Sequence, residues 1–162
     1  MGSLASFTLE WDSAGRIPGT YAIRAELLGA DGYPLARADR PFGLGLAEGE
    51  ITALSATPDL FAGGEAVDVS LSFANTGSTP LSGTAVVRVQ DDSGTLLQEF
   101  SHDYVDLSPG TGTTFPDTWQ SPEAAEGRYQ VVAYVLYNSA STELATVVIS
   151  TDLLYYLPLI RR

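Results

Sequence analysis

The sequence predicts an all-β chain folded as an antiparallel β-sandwich, with an N-terminal partial copy of the same module ahead of a complete one. Three observations lead there. Polar and apolar residues alternate cleanly in Ala66–Asn75: Val67, Val69, Leu71 and Phe73 share one face, and Asp68, Ser70 and Ser72 the other. Successive side chains of a strand point to opposite faces, so this segment is half buried. Turn-forming clusters separate short segments of this kind along the whole chain. A stretch near the start also recurs 108 residues later.

The strands follow in order. Phe7–Trp11 reads as the first and Thr20–Leu28 as the second. Ala30-Asp31-Gly32 turns the chain into Leu35–Phe42. Ile51–Thr57 precedes Ala62-Gly63-Gly64, which opens Ala66–Asn75, and Asn75-Thr76-Gly77 closes it. Thr84–Gln90 and Thr95–Ser101 flank Asp91-Asp92-Ser93-Gly94, a hairpin signal. Ser108-Pro109-Gly110 leads into Gly112–Trp119, and Arg128–Tyr137 and Glu143–Ser150 complete the set. No segment reads as an amphipathic helix.

Phe7–Leu28 and Phe115–Leu136 align without a gap, and seven of the 22 positions are identical: Phe7/Phe115, Trp11/Trp119, Ser13/Ser121, Gly19/Gly127, Tyr21/Tyr129, Ala25/Ala133 and Leu28/Leu136. The only two tryptophans of the chain match each other. The offset suits a β-sandwich module of about 100 residues. The expected organisation is therefore residues 1–46 as the last three strands of a preceding module, 47–151 as a complete module, and 152–162 as an apolar tail or added strand.

Composition removes several function classes. The chain has 162 residues, 44% of them hydrophobic, enough for a real core. All eight basic residues are Arg, against 20 acidic ones, and cysteine is absent. Lysine chemistry, disulfides, thiolate metal sites and cysteine nucleophiles are thereby excluded. One histidine cannot build a His-rich metal site. A net charge of −12 repels phosphate backbones, so no nucleic-acid partner is expected. No apolar run reaches the roughly 18 residues of a membrane span. The opening Met1-Gly2-Ser3-Leu4-Ala5-Ser6 lacks the charged and apolar regions of a signal peptide.

Thr57-Pro58, Gly63-Gly64, Val67–Phe73, Asn75-Thr76-Gly77, Leu107-Ser108-Pro109-Gly110, Phe115, Trp119 and Gly127-Arg128-Tyr129-Gln130-Val131 together form a pattern. It resembles the bacterial cell-adhesion-related domain (CARDB) and its immunoglobulin-like relatives over roughly residues 50–150. The resemblance implies an immunoglobulin-like sandwich occurring in tandem in secreted or surface proteins, as spacers, adhesion units or accessories to hydrolases. It supplies no catalytic residues.

Other motifs have plainer explanations. His102-Asp103 lacks the nucleophile and oriented base of a triad, and His102 is expected in a solvated loop after an edge strand. Asp91-Asp92-Ser93-Gly94 matches no complete calcium loop and is explained as a hairpin turn. The remaining carboxylates mark no acid–base pair. No catalytic residue, cofactor or metal is expected. Trp11, Trp119, Tyr21, Tyr129, Gly19 and Gly127 are expected to be structural, with sugar stacking by a tryptophan as the alternative.

Two features point outward. In Thr20–Leu28 the face opposite Tyr21, Ile23, Ala25 and Leu27 carries Arg24 and Glu26, whereas in Arg128–Tyr137 the corresponding face carries Val132, Tyr134 and Leu136. An apolar outer face marks a contact. The tail brings Leu154, Tyr155, Tyr156, Leu157 and Leu159, and ends in Arg161-Arg162. The expected function is a non-catalytic extracellular or bacterial cell-surface module, structural or adhesive. Its finer form is a subunit that self-assembles into filaments by strand complementation. The alternative is a carbohydrate-binding or spacer module of a larger secreted enzyme. Partners are then protein, through self-association or a neighbouring repeat, or a glycan.

Overall fold

The structure, a computed structural model, describes residues 5–151. The chain divides into two compact units, Met1–Gly45 and Leu46–Arg162. All regular structure among the described residues is β, and no helix among them is long and apolar enough to cross a membrane.

Unit 1 is a two-stranded antiparallel hairpin, β1 (Gly19–Leu28) and β2 (Pro34–Leu44). Gly32, at φ 79°, sits in the left-handed region that the turn between them requires. The strand expected at Phe7–Trp11 is not formed, so the unit has two strands rather than three. The cause is the lack of a neighbour. A strand exists by pairing its backbone groups. In unit 2 the equivalent segment pairs with Ala66–Asn75, for which residues 5–45 hold no counterpart.

Unit 2 is a sandwich of two sheets. β3 (Gly49–Thr57), β5 (Ala66–Asn75) and β8 (Gly112–Gln120) form one, in the order β3-β5-β8. The other runs β4-β11-β9-β6-β7, from β4 (Leu60–Phe61), β11 (Ala145–Thr151), β9 (Arg128–Tyr137), β6 (Leu81–Asp91) and β7 (Leu96–Leu107). The short β10 (Ala140–Ser141) pairs with β9. Every pairing is antiparallel except β4 with β11. Alternate residues of β5, Val67 to Phe73, meet Ala85, Val87 and Val89 of β6 and Val131, Ala133 and Val135 of β9 in one buried core.

β7 runs to Leu107 because its ladder with β6 continues to a Leu81–Leu107 pair beyond an irregularity between Leu81 and Gly83. The Asp91–Gly94 turn is satisfied internally. Asp91 Oδ1 accepts from the Ser93 amide, the Ser93 hydroxyl and the Thr95 amide at 2.9, 2.6 and 2.9 Å. The Ser93 hydroxyl first, and the Thr95 amide next, hold its carboxyl below the usual carboxylate range. This oxygen is engaged in making a turn.

Asn75 is a polar keystone at 1% exposure. Its amide donates to the carbonyls of Thr79 and Leu107, both at 2.8 Å, and its oxygen accepts from Gly77 N at 3.0 Å. Asn75 therefore ties the β5 exit to the loop that follows it and to the end of β7. Asn75→Leu is expected to lower unfolding free energy by roughly 2–4 kcal/mol, by stranding the two carbonyls, while the Gly77 amide keeps the Glu48 carbonyl as acceptor. Urea denaturation measures it, and a change under about 0.5 kcal/mol contradicts this role.

Candidate interaction surfaces

The side chains of unit 1 sort onto two faces, since directly opposed residues of an antiparallel pair point the same way. One face carries Arg24 opposite Asp39 and Glu26 opposite Arg37. Arg24 Nε and Arg37 Nη2 reach Asp39 at 2.8 and 2.7 Å, and Arg24 chiefly, then Arg37, lowers the Asp39 pKa. The other face carries Tyr21 opposite Phe42, then Ile23, Ala25 and Leu27 opposite Arg40, Ala38 and Ala36. Within unit 1 this apolar face is left open: Ile23 and Leu27 are each 56% exposed.

At one end of that face Trp11 packs on Tyr21 (centroids 5.7 Å, planes 51° apart) and edge-on to Phe42 (5.7 Å, 80°). Unit 2 repeats the trio. Trp119 meets Tyr129 at 5.4 Å and 52°, and Phe61 edge-on at 5.7 Å and 79°. The third ring comes from different places, β2 in unit 1 and β4 in unit 2. Both tyrosines donate to a carbonyl just upstream, Tyr21 to Ile17 at 2.6 Å and Tyr129 to Glu126 at 3.3 Å. The surroundings differ: Trp119 is 4% exposed and Trp11 45%. The aligned glycines differ too. Gly127 takes φ 95°, where its amide donates to Thr151 Oγ1 and its carbonyl accepts from Thr151 N, whereas Gly19 simply opens β1.

Val132, Tyr134 and Leu136 share the outer face of β9, with Val86 of β6 opposite Tyr134 and Arg88 opposite Val132. Leu136 is 44% exposed, but the patch is narrower than sequence suggests. The Arg88 guanidinium lies over the Tyr134 ring at 5.3 Å and pairs with Glu99 of β7 at 2.7 Å. Charge thus covers part of the apolar stripe. The tail residues Leu154, Tyr155, Tyr156, Leu157 and Leu159 lie outside the described residues.

His102 is not in a loop. It lies within β7, facing inward, and its Nε2 lies 2.9 and 3.0 Å from the two carboxylate oxygens of Asp117 on β8. Asp117 also faces inward, between Phe115 and Trp119, and its side chain is 7% exposed. The His102 ring stacks on Phe115 at 5.4 Å. β7 and β8 are edge strands of the two sheets, so this pair joins one sheet to the other along an open side of the sandwich. Nearby, burial and then Tyr137 push the Tyr104 phenol up to about 12. Asp103, the sequence neighbour of His102, accepts instead from Thr84 Oγ1 at 2.7 Å. Sequence gave no signal for Asp117, because the contact depends on how two separate sheets meet.

Ser55, Thr57, Asp68, Ser70, Pro116 and Thr118 line a depression on the outer face of β3-β5-β8. Asp117 also borders it, but of these two carboxylates Asp68 accepts from the Thr118 hydroxyl at 2.8 Å and Asp117 is turned inward to His102. Among the described residues no group of three or more His, Asp or Glu is placed to hold a metal ion.

No protein-family model matches the chain. No curated protein sequence matches it either. Solved structures do. A β-glucosidase from Erythrobacter marinus is 15% identical over 79% of this chain, with a TM-score of 0.51. The CARDB domain of a Pyrococcus furiosus protein, solved in complex with di-metal ions, is 18% identical over 67% of this chain and 90% of its own, with a TM-score of 0.49. A Listeria innocua β-glucosidase in complex with glucose is 16% identical over 68%, with a TM-score of 0.49. The chain spans 18% and 17% of the lengths of the two β-glucosidases. At this identity the Erythrobacter likeness is one of fold.

Proposed function

We propose that this chain is a non-catalytic extracellular or cell-surface module, structural or adhesive, that self-associates through the open apolar face of unit 1. In this reading residues 1–46 are a partial copy of the module formed by 47–151. One observation carries it. The two tryptophan contacts of the Trp11–Tyr21–Phe42 trio have the ring geometry of those in Trp119–Tyr129–Phe61, though Tyr21 and Phe42 stack at 30° where Phe61 and Tyr129 tilt at 51°, and the two segments align at seven identical positions. Yet the strand that follows is buried in one unit and open in the other. Val131 and Val135 are fully buried under β3-β5-β8, while the aligned Ile23 and Leu27 are each 56% exposed. An isolated hairpin is marginal in water, so a covering surface stabilises it.

The test is solution mass by light scattering across a dilution series, with negative-stain imaging of the same samples. Mass is expected to rise above the 17.1 kDa of one chain as concentration increases. Ile23→Glu with Leu27→Glu is expected to hold it at one chain while the fluorescence-detected unfolding of unit 2 stays unchanged. Wild-type protein at one chain mass throughout overturns the reading.

A second reading, a carbohydrate-binding or spacer module of a larger secreted enzyme, is favoured by the exposure of Trp11. Apolar aromatic surface of this kind stacks on sugar rings. Loss of glycan-array binding on Trp11→Ala, with mass unchanged on dilution, selects this reading over self-association.

A further inference from the structure

Unit 1 lacks more than a cover for its face. Among the described residues β1 pairs only with β2, so its other edge presents unpaired backbone groups along ten residues. The aligned strand of unit 2, β9, has that edge filled: β6 runs antiparallel beside it from Gly83–Tyr137 to Asp91–Tyr129. An exposed strand edge is a template for an added strand.

We propose that residues 152–162 of a second copy add antiparallel along this free edge of β1. The assignment rests on the self-association reading and names its donor. Three features fit. Extended, the eleven residues span about 36 Å, against about 33 Å for the ten of β1. The segment Leu153-Leu154-Tyr155-Tyr156-Leu157-Pro158-Leu159-Ile160 brings apolar side chains to a sheet whose open face is Tyr21, Ile23, Ala25 and Leu27. Its single proline is tolerated on an edge strand, where the outward amide has no partner to lose. The acidic residues ahead of β1 accord with the antiparallel direction. Antiparallel addition places Arg161 and Arg162 at the start of β1, where Trp11, flanked by Glu10 and Asp12, packs on Tyr21. Each copy offers one donor and one acceptor at different places, a head-to-tail contact that propagates.

The experiment uses the full chain and the full chain carrying Tyr155→Asp with Leu157→Asp. Light scattering is combined with hydrogen exchange resolved to β1, with β9 amides as the folding control. Wild type is expected to gain mass and β1 protection together as concentration rises. The tail variant is expected to associate at least tenfold more weakly and to lose the β1 protection, with β9 unchanged. Reversing Arg161 and Arg162 to Glu is expected to weaken association in the same sense, and adding Glu10→Arg and Asp12→Arg to restore it. If the tail variant associates as wild type does, while Ile23→Glu with Leu27→Glu does not, the donor assignment is overturned and the self-association reading stands. If β1 protection needs the tail but is independent of concentration, the segment acts within its own chain and the second-copy assignment is overturned. If mass never changes with concentration, both fall.

Discussion

Trp119→Ala is expected to lower the unfolding free energy of unit 2 by roughly 3–5 kcal/mol, the range for truncating a large buried aromatic. Trp11→Ala, at the aligned position, is expected to cost unit 2 nothing measurable. The two residues share a sequence context and a ring geometry, yet only Trp119 is enclosed, at 4% exposure among Phe61 and Tyr129. Removing it leaves a cavity between β4 and β9 that rigid strands cannot fill. Trp11 keeps 45% of its surface in water, beside the hairpin rings Tyr21 and Phe42. Chemical denaturation of both variants, followed by circular dichroism, gives the comparison. Equal losses in the two variants would mean that enclosure does not set what either tryptophan contributes.

The second large effect falls on the seam between the sheets. His102→Leu removes the only side chain among the described residues that bonds Asp117 and leaves an inward carboxylate at 7% exposure without that partner. Breaking a fully buried pair from one side costs about 3–5 kcal/mol, and the partial exposure of His102 places this case below that range, at about 2–3 kcal/mol. Asp117→Leu in the same background is expected to recover much of that loss, because an apolar pair leaves no buried carboxylate without a hydrogen-bond partner. Hydrogen exchange is expected to rise first in β7, whose other neighbour is β6 alone. If the single variant is as stable as wild type, the pair is incidental to the closure of the sandwich.

Much of the fold was legible because it is local. The alternation of Val67, Val69, Leu71 and Phe73 reports a half-buried strand with any partner, and the structure buries those four residues. The inner set of β9, Tyr129 to Val135, was legible for the same reason. The misreadings share one cause. Phe7–Trp11 has the composition of a strand but no neighbour to pair with, and pairing is a property of two segments. His102 was placed beyond its strand because β7 is carried to Leu107 by its ladder with β6. The two-residue β4 carried no pattern at all, yet it supplies Phe61, the ring that closes the trio in unit 2.

By itself the sequence determined the all-β class, most strand positions, the two aligned segments and the exclusion of lysine and cysteine chemistry. Periodicity, turn chemistry and composition act within a few residues, and they survive in a linear string. Tertiary structure alone decided which aligned tryptophan is enclosed, that Arg88 covers Tyr134, and that His102 faces Asp117 across two sheets. Those outcomes depend on distances between residues 15 to 46 positions apart or more, set by how separate strands pack, and no local pattern encodes them.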